Sequence, residues 1–292
     1  MRLISSLPAL ALGLAAVLSS CGKHSEKSTP TSDNPSDNVR LRFNLKPGSK
    51  FSYDAQSVQA IEAGGQNIKQ DITMVSSFAV KSAADSATKL DVSYDRVAMK
   101  MDAGSQQMTY DSRDPSTKGS PLALMGGLVG KHFTVGVTEA GRVTSVQGVS
   151  ELVNSLVDPA NPNAVAMRTQ LSQTLNDKAI KSMMEQSFNI YPNHAVQPGD
   201  TWTKVTSVTM GPMTMSATST YKLNSISDGV AHIGVSSKLD GQGAVSLAGT
   251  QTGTMDVDVA TGLLADSQLK QTLTGTPAMK IATTIHIKGT KE

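Results

Sequence analysis

Hydrophobic and polar residues alternate along most of the chain beyond residue 38. In Val39-Arg40-Leu41-Arg42-Phe43-Asn44-Leu45 the apolar side chains take every second place, the pattern of a strand with one face buried. Pro47-Gly48 follows and predicts a turn, because proline fixes φ and glycine tolerates a positive one. Further on, Leu90, Val92 and Tyr94 share one phase, while Val97, Met99 and Met101 share the opposite one. A β-bulge near Asp95-Arg96 reconciles them and predicts one long, bent strand. Later, Met213, Met215, Ala217, Tyr221 and Leu223 form an apolar face against Thr214, Ser216, Thr218, Thr220 and Lys222. Ala231, Ile233 and Val235 continue the pattern, and Ile281, Ile285 and Ile287 close it.

Between these regions the period lengthens. Ser120-Pro121 reads as an N-cap and first turn for a short apolar helix from Leu122 to Leu128. Leu152, Val153, Leu156 and Val157 recur at helical spacing until Asp158-Pro159. Asn163 can cap a following helix that presents Met167, Leu171 and Leu175 on one face. After a break at Asn176-Asp177, Ile180, Met183, Met184 and Phe188 extend the stripe to Tyr191-Pro192. Amphipathic helices of this kind lie with one face on a sheet.

The chain also repeats itself. Leu45-Lys46-Pro47-Gly48-Ser49-Lys50-Phe51 matches Val196-Gln197-Pro198-Gly199-Asp200-Thr201-Trp202, with Pro47 and Phe51 each 151 residues ahead of Pro198 and Trp202. Phe78, Leu90 and Val92 match Tyr221, Ile233 and Val235 at an offset of 143. Val135-Gly136-Val137 with Gly141 resembles Val257-Asp258-Val259 with Gly262. Three matches in one order predict two related β modules. The expected fold is therefore mainly β (α+β): two duplicated antiparallel modules forming a curved sheet or half-barrel, with a helical insert packed against it. One domain is expected over 39–292, with the first module at 39–148, the insert at 149–192 and the second module at 193–292.

The N-terminus has a different character. Met1-Arg2 supplies a positive end, and Leu3 to Leu18 an apolar stretch of 16 residues, shorter than the ~20 needed to span a bilayer. Leu18-Ser19-Ser20-Cys21 resembles the lipobox of bacterial lipoprotein signal peptides. That resemblance implies a signal over 1–20, cleavage before Cys21 and acylation of its thiol with palmitate-type chains, which hold a soluble domain on a membrane stably. Residues 22–38 are rich in Ser, Asp, Asn and Pro and hold no large apolar residue. They read as a flexible tether with a reach of roughly 20–25 Å. Gly22 stands where an Asp would resemble an inner-membrane retention signal. The expected location is the cell envelope, and in a Gram-negative cell the outer membrane, facing the periplasm or the surface.

The run Val196-Gln197-Pro198-Gly199-Asp200-Thr201-Trp202, after a helical segment ending at Tyr191-Pro192, is similar to a motif of uncharacterised bacterial lipoprotein domains. More distantly, long antiparallel strands with internal helices look like the half-barrels of Lol-type carriers and mycobacterial lipid-binding lipoproteins. That likeness implies a curved sheet and helices around a space for acyl chains.

Charge and chemistry narrow the function by exclusion. Without Arg2, 25 Lys and Arg face 24 Asp and Glu, a formal charge of +1, so no field gathers nucleic acid. Cys21 is the sole cysteine, and once acylated it is no nucleophile. Gly-x-Ser-x-Gly, the P-loop, His-Glu-x-x-His and Gly-x-Gly-x-x-Gly do not occur. His24, His132, His194, His232 and His286 are dispersed. Asp256-Val257-Asp258 lacks the later ligands of a calcium loop, since Ala260 and Thr261 occupy those places; strand alternation turns both aspartates to solvent. No catalytic residue, metal site or cofactor is expected.

Fourteen methionines remain, with Met99 and Met101, and Met213 and Met215, paired on strand faces. Core packing by an adaptable filler explains them first, the wall of an apolar cavity second, and Cu(I) binding third. Trp202 reads as a plug at a module corner, with ligand stacking the weaker alternative. The expectation is a non-enzymatic, membrane-anchored lipoprotein that binds an apolar ligand or lipid, or supports the envelope, with Met99, Met101, Met213, Met215 and Trp202 as candidate lining residues. A scaffold or adhesion domain is the alternative, and a copper carrier the next. Beyond the membrane and a possible lipid, no protein partner is legible.

Overall fold

A computed structural model describes residues 38–292 apart from 85–86, 158–159, 161, 211–212, 244–245 and 277. The signal segment, Cys21 and all but the last residue of the tether lie outside the described residues.

Twelve antiparallel strands form one open sheet. The first module contributes β1 (Lys50–Ala63), β2 (Gln66–Ala83), β3 (Thr88–Asp102), β4 (Gln107–Asp111), β5 (His132–Val137) and β6 (Val143–Gln147). The second contributes β7 (Thr201–Met210), β8 (Met213–Ser227), β9 (Val230–Gln242), β10 (Ser246–Asp258), β11 (Leu264–Thr276) and β12 (Met279–Lys291). Each module is a meander, and β1 pairs with β12 at the centre, giving the order β6-β5-β3-β2-β1-β12-β11-β10-β9-β8-β7 with β4 attached to β3. The expected bulge is present: Val75 pairs with Arg96 but Ser76 with Tyr94, leaving Asp95 unopposed. It turns Tyr94 and Val97 to the same face, so both phases of β3 serve one interior.

The duplication extends to individual hydrogen bonds. The Gly48 N–H donates to Val80 O at 2.9 Å, and Val80 N–H donates to Ser49 O at 2.9 Å. In the second module Gly199 N–H donates to Leu223 O at 2.7 Å, and Leu223 N–H to Asp200 O at 3.0 Å. Gly48 and Gly199 both have positive φ, 85° and 101°, which only glycine adopts without strain. Just beyond each turn two rings stack across the first strand pair: Phe51 on Phe78 at 4.7 Å, and Trp202 on Tyr221 at 5.5 Å.

One local expectation needs correction and a second is made more specific. Residues 39–45 alternate and bury Leu41, Phe43 and Leu45, yet they form no strand of the sheet. Their bonds are scattered: Val39 with Val196, Phe43 N–H to Glu139 O and Asn44 N–H to Thr261 O. Alternation here reports burial on one side of an extended segment without a continuous partner. The segment from Pro121 to Leu128 is a 3-10 helix and not an α-helix, capped by Ser120 Oγ, which accepts from Leu122 N–H at 3.3 Å.

The insert folds as α1 (Val149–Ser155), α2 (Ala164–Thr174) and α3 (Asp177–Phe188). Asn176 starts α3, its Oδ1 accepting from Ala179 N–H at 3.0 Å. α3 packs against β6 and β7, the two edges of the sheet. The sheet thus curls until its edges flank one helix, and the main core forms between them from Phe43, Phe51, Phe78, Ile180, Met183 and Trp202, among others. Close glycine approaches join β10 to β11. A Cβ on Gly249 would lie 1.9 Å from Thr272 O, and one on Gly253 1.9 Å from Gln268 O; glycine lets β10 press onto β11.

Candidate functional site

The inner face of the curled sheet is banded. Following the cross-strand register from β2 to β7, one row reads Gln70, Gln59, Thr283, Gln271, Gln251, Ser237, Ser219 and Lys204. Every member is polar. Toward the helices the next row includes Ile72, Ile285, Leu269, Val235, Tyr221 and Trp202. On the other side it includes Ile68, Ile61, Ile281, Leu273, Leu239 and Ala217, which belong to a second, smaller core or pack against it. A polar belt therefore separates two apolar compartments.

Most of the belt is deeply buried, Gln251 and Ser219 at 0% exposure and Gln70 at 1%. Some members satisfy one another. Gln59 Nε2 donates to Thr283 Oγ1 at 3.2 Å, Ser219 and Ser237 share a hydroxyl hydrogen bond, and Lys204 Nζ donates to Asn189 Oδ1 at 3.4 Å. Gln251 has no hydrogen-bond partner for either amide atom among the described residues. Among the described residues Arg168 Nε, Gln186 on α3, also fully buried, and Thr206 Oγ1 on β7 are in the same condition. An unmet buried polar group costs about 1–3 kcal/mol, and in the belt Gln251 alone bears that cost.

At the far end of β9, β10 and β11, a cleft of about 640 Å³ is lined by Asp240, Gly241, Gln242, Leu247, Thr274 and Gly275, among others. Asp240, Gln242 and Thr274 are exposed, while Leu247 belongs to the small core. A Cβ on Gly241 would meet Met215 Sδ at 2.4 Å and Leu247 Cβ at 3.0 Å, so those side chains fill the space over it. Leu247 pairs with Gly241 and Gly241 with Met215, which places the cleft at the edge of the small compartment. Its volume falls in the ordinary range for small-molecule sites.

The predicted lining residues are distributed over three places. Met215 is buried in the small core with Met213 packed against it. Trp202 is in the main core, its Nε1–H donating to Ile190 O at 2.7 Å. Met99 is buried but lies outside both clusters; its Sδ accepts from Gln70 Nε2 at 3.4 Å, and Met101, opposite Gln70, is half-buried. None of the five lines the cleft itself; Met215 comes nearest, beside Gly241 at its wall.

On the outer face, side chains meet in a way that no sequence spacing foretold. His232 Nδ1 lies 2.8 Å from Asp256 Oδ1, and its Nε2 lies 2.9 Å from Ser227 Oγ. Asp256 stands opposite Asp266, which is held by His286 Nε2 at 2.9 Å. The Asp256–His232–Ser227 order is that of a hydrolase triad. However, His232 and Asp256 side chains are 37% and 39% exposed, on the convex side of the sheet and away from the cleft. Water screens every contact there, and an open β-hairpin end excludes none of it. Among the described residues no group of three His, Cys, Asp or Glu is placed to hold a metal ion. In the main core, burial pushes the Tyr94 phenol up to about 12 and drives Tyr191 well above its ordinary value. Tyr191 Oη donates to Gly262 O at 2.6 Å; both phenols are structural and neutral.

Comparison with known proteins places the chain in a family. It matches the family of unknown function DUF6263 over residues 85–264, more than half its length, and belongs to that family. No curated protein matches it in sequence. Among solved structures, lipovitellin, solved for its lipid–protein interactions, is similar over 84% of this chain at 9% identity, with a TM-score of 0.48. This chain spans 25% of the length of that one. An outer membrane channel from Pseudomonas putida F1 aligns over 89% of this chain and 100% of its own at 9% identity and a TM-score of 0.21. DynF of the dynemicin pathway of Micromonospora chersina aligns over 94% and 95% at 6% identity and a TM-score of 0.22. At these scores none of the three carries an argument about what this chain binds.

Proposed function

We propose that this protein is a membrane-anchored, non-enzymatic lipoprotein whose β body binds a small apolar or amphiphilic ligand through the cleft at the far end of the second module. One observation carries the reading: a cleft of about 640 Å³ lies at the edge of a separate apolar cluster, with Leu247 belonging to both. Methionine suits a wall that accepts variable apolar guests. The anchor rests on the sequence, where Leu18-Ser19-Ser20-Cys21 would leave the acylated Cys21 at the head of a flexible tether.

Two experiments test the two parts. Cys21→Ser in the full chain is expected to move the protein from the detergent phase to the aqueous phase; unchanged partitioning refutes the anchor. For the cleft, the uncharged fluorophore N-phenyl-1-naphthylamine should bind the intact protein. Gly241→Val would push its side chain against Met215 Sδ, the mobile end of a flexible residue. It should abolish binding at a cost in stability of about 1–3 kcal/mol, read by urea unfolding, that leaves the protein folded. No binding to the intact protein, or equal binding to the variant, refutes the site.

A further inference from the structure

Three methionines meet at the far end of the first module, brought together by strand pairing. Met99 and Met101 follow Val97 on the inward face of β3. β4 adds the third: Met108 pairs with Met101, and on the same face of β4 the buried Tyr110 pairs with Met99. Residues two apart on a strand are separated by about 6.6 Å, and directly opposed Cβ atoms by roughly 4.5–5.5 Å. Three flexible thioethers at that spacing can converge on one point. Core packing does not account for them. Met213 and Met215 serve the small core, and Met183, Met184 and Met255 the main one. Met99, Met101 and Met108 join neither cluster. Met99 is buried, whereas Met101 and Met108 are half-buried and keep a route to solvent.

We infer that Met99, Met101 and Met108 form a binding site for a soft monovalent cation, with Cu(I) as the biological occupant. Neutral, polarizable thioethers favour Cu(I) over harder divalent ions. Among the described residues no three His, Cys, Asp or Glu side chains gather to hold a harder one. Met99 is held in place for the role: its Sδ accepts from Gln70 Nε2 at 3.4 Å, on the strand that flanks β3 on its other side. A thioether sulfur carries two lone pairs, so this bond fixes the side chain and leaves one pair for a metal. The second module offers a contrast. Met215 is buried with its Sδ packed over Gly241, and its cross-strand neighbours are Val208 and Gly241. The site lies in the other module from the cleft and does not depend on it.

The test is anaerobic titration of Cu(I) against the chelator bathocuproine disulfonate. It uses the full chain carrying Cys21→Ser, so that the thiol does not compete. Expected is one Cu(I) per chain, and an affinity lower by at least about tenfold in Met101→Leu/Met108→Leu. Leucine for methionine nearly conserves volume, so urea unfolding should find the variant as stable as its parent; should it fold poorly, Met108→Leu alone gives the same comparison. Met213→Leu/Met215→Leu should bind as the parent does. With methionine methyls labelled by carbon-13, Ag(I) as a redox-inert stand-in should shift the signals of Met99, Met101 and Met108 first. Absence of Cu(I) binding, equal binding by the Met101→Leu/Met108→Leu variant, or first shifts at other methionines overturns the inference. Loss confined to Met213→Leu/Met215→Leu also overturns it, by moving the site to the second module. Binding of the fluorophore at the cleft is unaffected by any of these results, so the two readings fail separately.

Discussion

The two modules share a corner and diverge at their far ends. At the corner, a glycine turn, two reciprocal backbone bonds and a stacked ring pair recur almost atom for atom. At the far end of the first module, β4 and the 3-10 helix 121–128 fold over β3, with Tyr110 buried between them. The packing is tight enough that a Cβ on Gly126 would sit 1.6 Å from Tyr110 Oη. Among the described residues the second module has no such cover, and a cleft lies there beside Leu247. What was kept in both copies is what closes the core. What differs is how the far end is covered.

The comparison predicts that the two corners carry comparable stability. Phe51→Ala and Trp202→Ala each remove a buried ring stacked on its cross-strand partner, and each should cost about 3–5 kcal/mol. Trp202 also gives up its bond to Ile190 O, while Phe51 loses edge contacts with Phe43 and Tyr53. Urea unfolding measures both; a cost below about 1.5 kcal/mol at either corner would break the equivalence. A smaller effect is expected on β10. Gly253→Ala places a methyl against Gln268 O and should cost about 1–3 kcal/mol through the backbone shift it forces. It should also loosen the curl that brings the belt together, seen as faster amide exchange along β10 and β11.

Much of this fold was legible because alternation and turn chemistry are local. The bulge at Asp95 followed from a phase change within β3, and the positive φ of Gly48 followed from Pro47-Gly48. The duplication was legible because the corner residues recur at fixed offsets. The belt was not. Gln251 stands on an otherwise apolar or glycine face of β10, Ser219 between Ala217 and Tyr221 on β8, and Thr283 between Ile281 and Ile285 on β12. Within one strand such an intruder is indistinguishable from a tolerated polar residue. Only the register across eight strands aligns them, and register is set by non-local pairing. A search for inward-phase polar residues in every strand was the available signal. The methionine pairs were visible for the opposite reason, being local, and for that reason said little about which core each pair would join. Residues 39–45 show the same limit, since their period gave burial but not a partner.

On the outer face the expected reactivity is nil. A fluorophosphonate probe should leave Ser227 unlabelled, because the Asp256–His232–Ser227 chain is open to water; labelling lost in Ser227→Ala would make the convex side of the second module a catalytic surface and overturn the non-enzymatic reading.

The smallest effect concerns β4, the strand that only the first module adds. Arg96 Nη2 meets Asp111 Oδ2 at 2.7 Å and Arg96 Nε meets Oδ1 at 3.2 Å, tying β4 to β3. The Arg96 guanidinium, then the Arg113 backbone N–H, hold the Asp111 carboxyl below its ordinary value. A carboxyl with a depressed folded-state pKa adds stability that is full above its unfolded pKa, near 3.9, and is lost as pH falls through the lower folded value. Asp111→Asn should therefore destabilise at pH 7 by no more than about 1 kcal/mol, since the pair is partly open to solvent. The gap between variant and parent should shrink once the medium is acid enough to protonate the carboxyl in both states. If β4 is the cover that distinguishes the first module, the loss should appear as faster amide exchange at Tyr110 while the cleft of the second module is unchanged. A gap that persists in strong acid would mean that Asp111 acts through its contacts to the 112–117 turn and not through its charge.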